Sequence, residues 1–540
     1  MGSGKTSVGK RLASKLGWTF HDADNVIEAV SGKSIPEIFP EQGEEGFRKI
    51  EAKAVEHLSR SRRSVIGLGG GALETLESRE IIAESGTLVW LNVTPKIAAQ
   101  RLTRSRNRPL IAGAQSAGDI ENELQAILNQ REANYAVADL TLELGKETPG
   151  EITSLLFDKL KPENPLESPN RVSEEVSPNY AVYVDYGLLT SIGNLLEPFD
   201  FTSNLALITD SNVQNLYSEQ VAFSLKNAGF NVQRMSVPAG ESSKNLDTIE
   251  ELYDYFAEAG LDRKSPAVVL GGGVIGDMGG FFAASYLRGI PLIHIPTTLL
   301  AQVDSSIGGK VGVNLAAGKN LVGDFYNPAA VVADINTLFS MPDREWHTGL
   351  GEVLKYGLIG NPKIFDIMSE GPENVRENIR EVVQLSIEQK LEIVNEDFTE
   401  GNIRRFLNFG HTLGHALEKV TNYSLLNHGE AVYWGILAAC FISHQKGFLN
   451  DQVFEEIIRI MEKYDFGISI DDLDEDAVRD AIYYDKKRIR DKIHWVLLKG
   501  VGQPVIETDV PKSMIADAIQ YAQEFTKNQS YTAQEKEQNG

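Results

Sequence analysis

The sequence predicts an α/β chain in two units: an N-terminal parallel sheet with helices on both faces, then a second α/β sheet that gives way to a mostly helical half. Three observations carry that expectation. Apolar strand-like runs end in glycine turns, as at Val65–Gly71 and Pro266–Asp277, the second opening into a helical run. Residues 161–178 (KPENPLESPNRVSEEVSP) hold four prolines, several charges and little periodicity, and read as an exposed linker. Beyond about residue 343 strand signals stop and apolar residues recur at helical spacing.

Composition narrows the function classes. With 540 residues the chain has room for several domains with ample core. A net charge of −24 argues against a general binder of nucleic acid or anionic membranes. The single cysteine, Cys440, lies in the apolar run AVYWGILAACFI, so no disulfide framework is expected and the cytoplasm is the expected setting. That run is too short to span a bilayer. The first residues lack the apolar core of a secretion signal. Met1–Thr6 fits a loose lipidation pattern, but residues 2–6 are better explained as a phosphate loop.

That loop opens the first unit. Gly2-Ser3-Gly4-Lys5-Thr6-Ser7 precedes a helical pattern at Val8, Leu12 and Leu16. Glycine N–H groups would cradle phosphates, Lys5 would reach the β and γ oxygens, and the Thr6 hydroxyl would ligate Mg²⁺. Such a loop ordinarily starts with a buried strand and an earlier glycine, which here would fall before Met1. The expectation is therefore a first strand missing from this sequence, supplied by roughly eight to ten upstream residues. Phe20-His21-Asp22-Ala23-Asp24 reads as a strand end with two alternate carboxylates. Arg48 follows in GFRKIE, a strand runs into Gly69-Gly70-Gly71, and Thr87–Leu91 is another strand. RSRNRPL (Arg104–Leu110) is a basic loop of the kind a mobile lid needs, and Arg131 and Tyr135 share the next helix.

The ordered set GSGKT, DAD, FRKIE, GGG, RNRPL and REANY resembles shikimate kinase over essentially all of residues 1–160. The resemblance implies that Arg48, Gly70, Arg131 and Asp24 hold shikimate, the two arginines gripping its carboxylate through their planar forks. It implies that Asp24 deprotonates or positions the attacking hydroxyl, Asp22 orients Mg²⁺ waters and Arg108 closes over ATP. A non-catalytic binding or scaffold module is the alternative for this unit.

From Tyr180 a new α/β pattern begins: strands at Leu205–Thr209 and Val232–Val237, helical stretches to Ala228 and from Leu246 to Ala259, then Pro266-Ala-Val-Val-Leu-Gly-Gly-Gly-Val-Ile-Gly-Asp277. A buried strand feeding Gly272 and Gly273 at a helix start is a pyrophosphate-binding geometry. Downstream, Arg404–Glu430 (RRFLNFGHTLGHALEKVTNYSLLNHGE) concentrates three of the nine histidines. His411 and His415, four apart, share a helix face, and His428 opens the next apolar run. Two neutral imidazoles converging with a carboxylate suit a catalytic Zn²⁺ that keeps one position open. Upstream, GEVLKYG sets Glu352 and Lys355 three apart on one face.

Together GEVLKYG, NFGHTLGHALE and HGEA resemble 3-dehydroquinate synthase, over about residues 178–510. The resemblance implies an NAD-binding α/β half (179–342), a helical metal and substrate half (343–526), a polar tail (527–540) and an active site in the cleft between halves. It implies that Glu352, His411 and His428 hold Zn²⁺ or Co²⁺ while His415 faces the substrate and shuttles protons. Asp210, Glu241 and Lys244 match positions at the adenosine end of NAD, and Asp277, Thr297 and Thr298 match positions along the dinucleotide. Arg288, Asp304, Lys310, Lys319, Asn320, Lys355, Lys390, Arg404, Asn408 and Lys486 match substrate or cofactor positions, with Arg288, Lys355 and Lys390 also taken as catalytic. Lys487 competes with Lys486, because the family's glycine after DKK is here RIRDKIHW.

The implied activities are ATP-dependent phosphorylation of shikimate and NAD- and metal-dependent cyclisation of 3-deoxy-arabino-heptulosonate 7-phosphate to 3-dehydroquinate. A metal-dependent polyol dehydrogenase shares the glycine loop and metal but needs no such anion-binding set. A related sugar-phosphate cyclase is the nearer alternative. Expected partners are small molecules and a second copy through the synthase domain, with no nucleic acid or membrane. Fusion is expected to serve co-expression or stability, so that cutting within 161–178 leaves synthase turnover nearly unchanged.

Overall fold

The computed structural model describes residues 2–102, 117–160, 170–464, 466, 468–484 and 493–539. In the first unit β1 (Thr19–Asp22) runs parallel to β2 (Ser64–Gly67), and β3 (Val89–Val93) runs parallel to β4 (Leu140–Leu144). The helix Lys5–Leu16 follows the phosphate loop directly. Its Val8, Leu12 and Leu16 fall four apart on one face and pack on Leu142, Leu144, Ile152 and Leu156. Gly17, at φ 66°, closes it in the left-handed conformation that glycine tolerates best.

The second unit is built on β5 (Ala181–Asp185), β6 (Asn204–Asp210), β7 (Asn231–Val237), β8 (Ala267–Gly271) and β9 (Leu292–Pro296). An antiparallel hairpin, β10 (Lys310–Leu315) and β11 (Gly318–Phe325), precedes β12 (Ala330–Asp334). The sheet order is β5-β12-β9-β8-β6-β7, all parallel. Helices cover both faces, so β8, β9 and β12 are buried along their whole length. The chain leaves β6 to one side for β7 and returns on the other side as β8, which makes the carboxyl ends of β6 and β8 a topological switch point. Asp210 ends β6 and Gly271 ends β8, so the candidate nucleotide residues sit where this topology places a ligand.

Beyond residue 343 helices dominate, among them Asp343–Ile359, Ile379–Glu396, His411–Val420 and His428–Gln445. Three expectations need correction. Strands do not stop at 343: β13 (Trp495–Leu498) and β14 (Pro504–Glu507) form an antiparallel pair on the long helix His428–Gln445. The polar tail is helical, because Lys512–Asn539 is one helix, its last turns rich in Gln, Glu and Lys and free of Gly and Pro. The segment 170–178 is no exposed linker. Val172 is buried in the synthase core, its N–H donates to Val182 O at 2.9 Å, and Arg171 bridges to Tyr183.

The two units also meet directly. Buried Asp334 accepts from Thr19 Oγ1 of β1 at 3.2 Å and from the Gly187 and Leu189 N–H groups at 3.0 Å each. Asn336 donates to Arg62 O at 2.7 Å and accepts from Arg62 N at 3.2 Å. Gln220 makes a similar two-way pairing with the Phe20 backbone. On the kinase helix Ile35–Ser59, Lys53 and His57 reach Asp343, the first residue of the helix that carries Glu352.

Candidate active sites

Three helices build the metal centre. Gly410, at φ 81°, turns the chain so that His411 starts its helix, and a capping box of Asn427 and Glu430 starts the next helix at His428. Arg344 pairs with the buried Glu430 carboxylate at 2.9 Å and holds that start in place. The helices approach because their contacts are glycines. A Cβ on Gly429 would lie 1.7 Å from Thr348 O, and one on Gly435 would lie 1.8 Å from Gly410 O.

Glu352 Oε1 then stands 3.5 Å from both His411 Nε2 and His428 Nε2. Tetrahedral coordination with bonds of about 2.1 Å needs ligand atoms about 3.4 Å apart, so the spacing fits a zinc-like ion. Both Glu352 oxygens are buried, with the Lys355 ammonium against one and the two imidazoles facing the other. His411 Nδ1 is 3.1 Å from Phe409 O, which leaves Nε2 for the metal. Burial pushes His411 down to about 3. Burial also opposes charge on His428, but the carboxylates of Glu352 and Glu418 outweigh it and push that imidazole up to about 10. Two carboxylates around His428 thus make a place for a cation. His415 is exposed, with its ring 5.4 Å from that of His411 and 6.1 Å from that of His428.

Beside the triad lies the anion-binding set. Buried Lys390 donates to Asp304 Oδ1 at 2.9 Å and to its carbonyl at 2.6 Å, and Lys355 Nζ is 3.7 Å from the same carboxylate. Burial drives Lys390 down to about 8 despite Asp304. The lysines hold Asp304 well below the usual carboxylate range although burial opposes it. Arg404 is buried and donates to Gly308 O and Phe398 O. Lys310 pairs with Glu400 at 2.6 Å, and Asn408 donates to the same carboxylate at 3.0 Å.

At the switch point the helix Gly273–Ser285 has no side-chain cap, so its first N–H groups remain open for phosphate. A Cβ on Gly272 would meet Thr298 at 3.1 Å, and one on Gly273 would meet Ser305 at 3.1 Å. The Thr297 hydroxyl is buried without a partner. Asp210 caps the Asn212 and Val213 N–H groups. Lys244 joins Asp277 at 2.5 Å and Asn320 at 2.6 Å, while Lys319 lies 3.8 Å from Glu241 and over the Tyr423 ring. These residues fit a dinucleotide laid across the sheet ends.

Arg288 is exposed on the turn after the helix Gly273–Ser285.

In the first unit Gly2 (φ 72°) and Gly4 (φ 87°) shape the loop, and Ser7 lies in the helix that follows. Lys5 Nζ is 3.3 Å from Asp22 and 3.5 Å from Asp24, and Thr6 donates to Asp22 at 2.8 Å. Arg48 pairs with Glu51 at 2.6 Å and with Glu74 at 2.9 Å, and Arg131 reaches Glu74 at 2.5 Å. The glycine turn closes against them. A Cβ on Gly69 would lie 2.7 Å from Glu51, one on Gly70 3.3 Å from Arg131, and one on Gly71 1.9 Å from Arg48. Arg108 and Lys486 lie outside the described residues.

Sequence reasoning missed Glu51, Glu74, Glu400 and Glu418. Glu51 and Glu418 stand at helical spacing from Arg48 and His415. Glu74 and Glu400 carry no local signal.

Comparison with known proteins agrees with this layout. A family model for shikimate kinase matches residues 1–161, and models for the N-terminal and C-terminal parts of 3-dehydroquinate synthase match 234–348 and 349–488. The 3-dehydroquinate synthase of Desulforamulus reducens is 40% identical over 342 residues, 62% of this chain and 95% of that protein. That of a Geobacter species is 42% identical over 329 residues, 60% of this chain and 91% of that one. Among solved structures, 2-deoxy-scyllo-inosose synthase with carbaglucose-6-phosphate, NAD⁺ and Co²⁺ aligns with TM-score 0.58 and 27% identity over 63% of this chain and 96% of its own. ValA, a 2-epi-5-epi-valiolone synthase from Streptomyces hygroscopicus with NAD⁺ and Zn²⁺, gives 0.57 and 26% over 66% and 99%. The chain belongs to the 3-dehydroquinate synthase family, with a shikimate kinase domain fused ahead of the synthase.

Proposed function

We propose that the chain carries out two steps of aromatic biosynthesis. Its first domain, to about residue 160, phosphorylates shikimate from ATP and Mg²⁺. Its second, an NAD-binding half to 342 and a metal half to 526, converts 3-deoxy-arabino-heptulosonate 7-phosphate to 3-dehydroquinate and phosphate. The observation that carries the second activity is the Glu352–His411–His428 triad standing beside buried Lys355, Asp304 and Lys390. A dehydrogenase of neutral alcohols has no use for these buried cations.

When bound, NAD takes up and returns a hydride and the metal polarises a substrate hydroxyl. Lys355, Lys390, Arg404 and Asn408 bind and orient the anionic substrate, with Lys310, Lys319 and Asn320 at its margins. His415, exposed beside the ligand pair, moves a proton. Asp210, Glu241, Lys244, Asp277, Thr297 and Thr298 orient the dinucleotide. In the kinase, Lys5, Thr6 and Asp22 hold the phosphates and Mg²⁺, Asp24 takes the proton of the attacking hydroxyl, and Arg48 and Arg131 grip the substrate carboxylate with Gly70 beneath.

No helix among the described residues is long and apolar enough to cross a membrane. We place the enzyme in the cytoplasm as a homodimer through the synthase domain. Exposed Leu287, Leu315, Leu321 and Phe325, on and beside the β10–β11 hairpin, supply apolar surface for that contact. Incubating the protein with the heptulosonate phosphate, catalytic NAD⁺ and Zn²⁺ should release phosphate many times per NAD with no net NADH. Stoichiometric NADH would instead make the second domain a dehydrogenase.

A further inference from the structure

The two arginines assigned to the shikimate carboxylate already share a carboxylate. Glu74 Oε2 lies 2.9 Å from Arg48 Nη2, and Glu74 Oε1 lies 2.5 Å from Arg131 Nη2, so one side chain bridges both guanidiniums. The backbone aims it there. Gly71 O accepts from Glu74 N at 2.9 Å in the turn that ends the glycine run, and Thr75 caps the next helix one residue later. Arg48 and Arg131 are 19% and 15% exposed at the side chain, so each needs a counter-charge whether or not substrate is present. Arg48 also pairs with buried Glu51 and, at 3.2 Å, with exposed Glu44. Arg131 has no other ion-pair partner among the described residues.

We propose that Glu74 is an internal competitor of the acid substrate in the kinase site: a carboxylate that occupies the arginine pair in the free enzyme and is displaced by the carboxylate of the incoming acid. The inference rests on the reading of Arg48 and Arg131 as the carboxylate clamp. The charge balance explains why displacement is required. Glu44, Glu51 and Glu74 already set three carboxylates against the two guanidiniums, and a further carboxylate entering beside them would add to that negative excess. Tethering gives the internal carboxylate a high effective concentration, and its release needs only side-chain rotation because it is 30% exposed.

Glu74→Gln keeps the shape and removes the competing charge. Its KM for shikimate should fall by about five- to ten-fold at low salt, with kcat within two-fold, since a charge-assisted pair is lost from the free enzyme alone. Benzoate, a bare carboxylate probe, should inhibit Glu74→Gln several-fold more tightly than the unaltered protein, whereas methyl shikimate, neutral at that position, should show no tightening that matches the acid's. Glu74→Asp, too short to bridge both arginines, should fall between. An unchanged or raised KM for shikimate in Glu74→Gln, at an unaltered Tm, overturns the proposal. Arg131→Ala separates that result from failure of the clamp itself: if the clamp reading holds, its KM for shikimate rises at least ten-fold, and an unchanged KM would remove the basis for both.

Discussion

At the scale of single residues the metal centre makes the sharpest predictions. Glu352, His411 and His428 each offer one ligand atom, so replacing any of them by Ala removes one of three protein bonds. Metal analysis after desalting should find His428→Ala largely without zinc and inactive in cyclisation. His415→Ala should keep the metal and lose rate, and full occupancy in His428→Ala would contradict the ligand set. Lys390 yields a pH prediction. Its ammonium, held down to about 8 chiefly by burial, is charged below that pH and neutral above it. Synthase kcat/KM for the phosphorylated substrate should fall as pH rises through about 8, and Lys390→Arg should shift that limb upward because guanidinium stays charged. The same depression works on stability with a definite sign. Between about 8 and the ordinary 10.5 the unfolded chain binds more protons at this lysine, so this group makes the fold more stable as pH rises through that window.

At the scale of elements, glycines decide how closely the helices meet. Gly429 sits against the carbonyl of Thr348 so tightly that a methyl group would stand 1.7 Å from the oxygen, and Gly351 would meet Gly429 O at 2.2 Å. Any side chain there pushes the helix Asp343–Ile359, with Glu352, away from the helix that begins at His428. Gly429→Ala should cost about 1–3 kcal/mol in chemical denaturation, the range for overpacking a tight contact. It should also weaken zinc binding measured by competition with a chelator. Normal zinc affinity in a destabilised Gly429→Ala would show that the spacing of these helices does not set the ligand geometry.

At the scale of the whole molecule, the kinase domain is docked on the synthase and not merely tethered to it. Asn336 satisfies both the N–H and the carbonyl of Arg62, and Asp334 reaches Thr19 of the first strand. Proteolytic cutting within 161–169 should leave two pieces that co-elute and a synthase of nearly unchanged turnover, since these contacts do not depend on the covalent link. Asn336→Ala leaves two backbone groups without partners, at about 1–3 kcal/mol each if they stay dry. In the cut protein it should promote separation on a sizing column. Cut pieces that separate without the substitution would show that the interface is too weak to act alone.

The sequence by itself determined the local elements and the chemical inventory. Strands ending in glycine turns, the phosphate loop, the helix faces and the resemblance to two enzyme families were all legible because each is written in neighbouring residues. Tertiary structure alone decided which of those residues meet. Spacing places His411 and His415 on one face equally, yet packing aims His411 Nε2 at Glu352 and leaves His415 exposed. The same limit hid Glu74 and Glu400, whose partners stand 57 and 90 residues away in the pairs with Arg131 and Lys310. Segment 170–178 read as a linker because prolines and charges mark exposed chain on average, while Val172 found an apolar pocket that only the folded synthase provides. Periodicity records what a residue does within its own turn or strand, and a site depends on contacts between elements that burial and close packing bring together from distant parts of the chain.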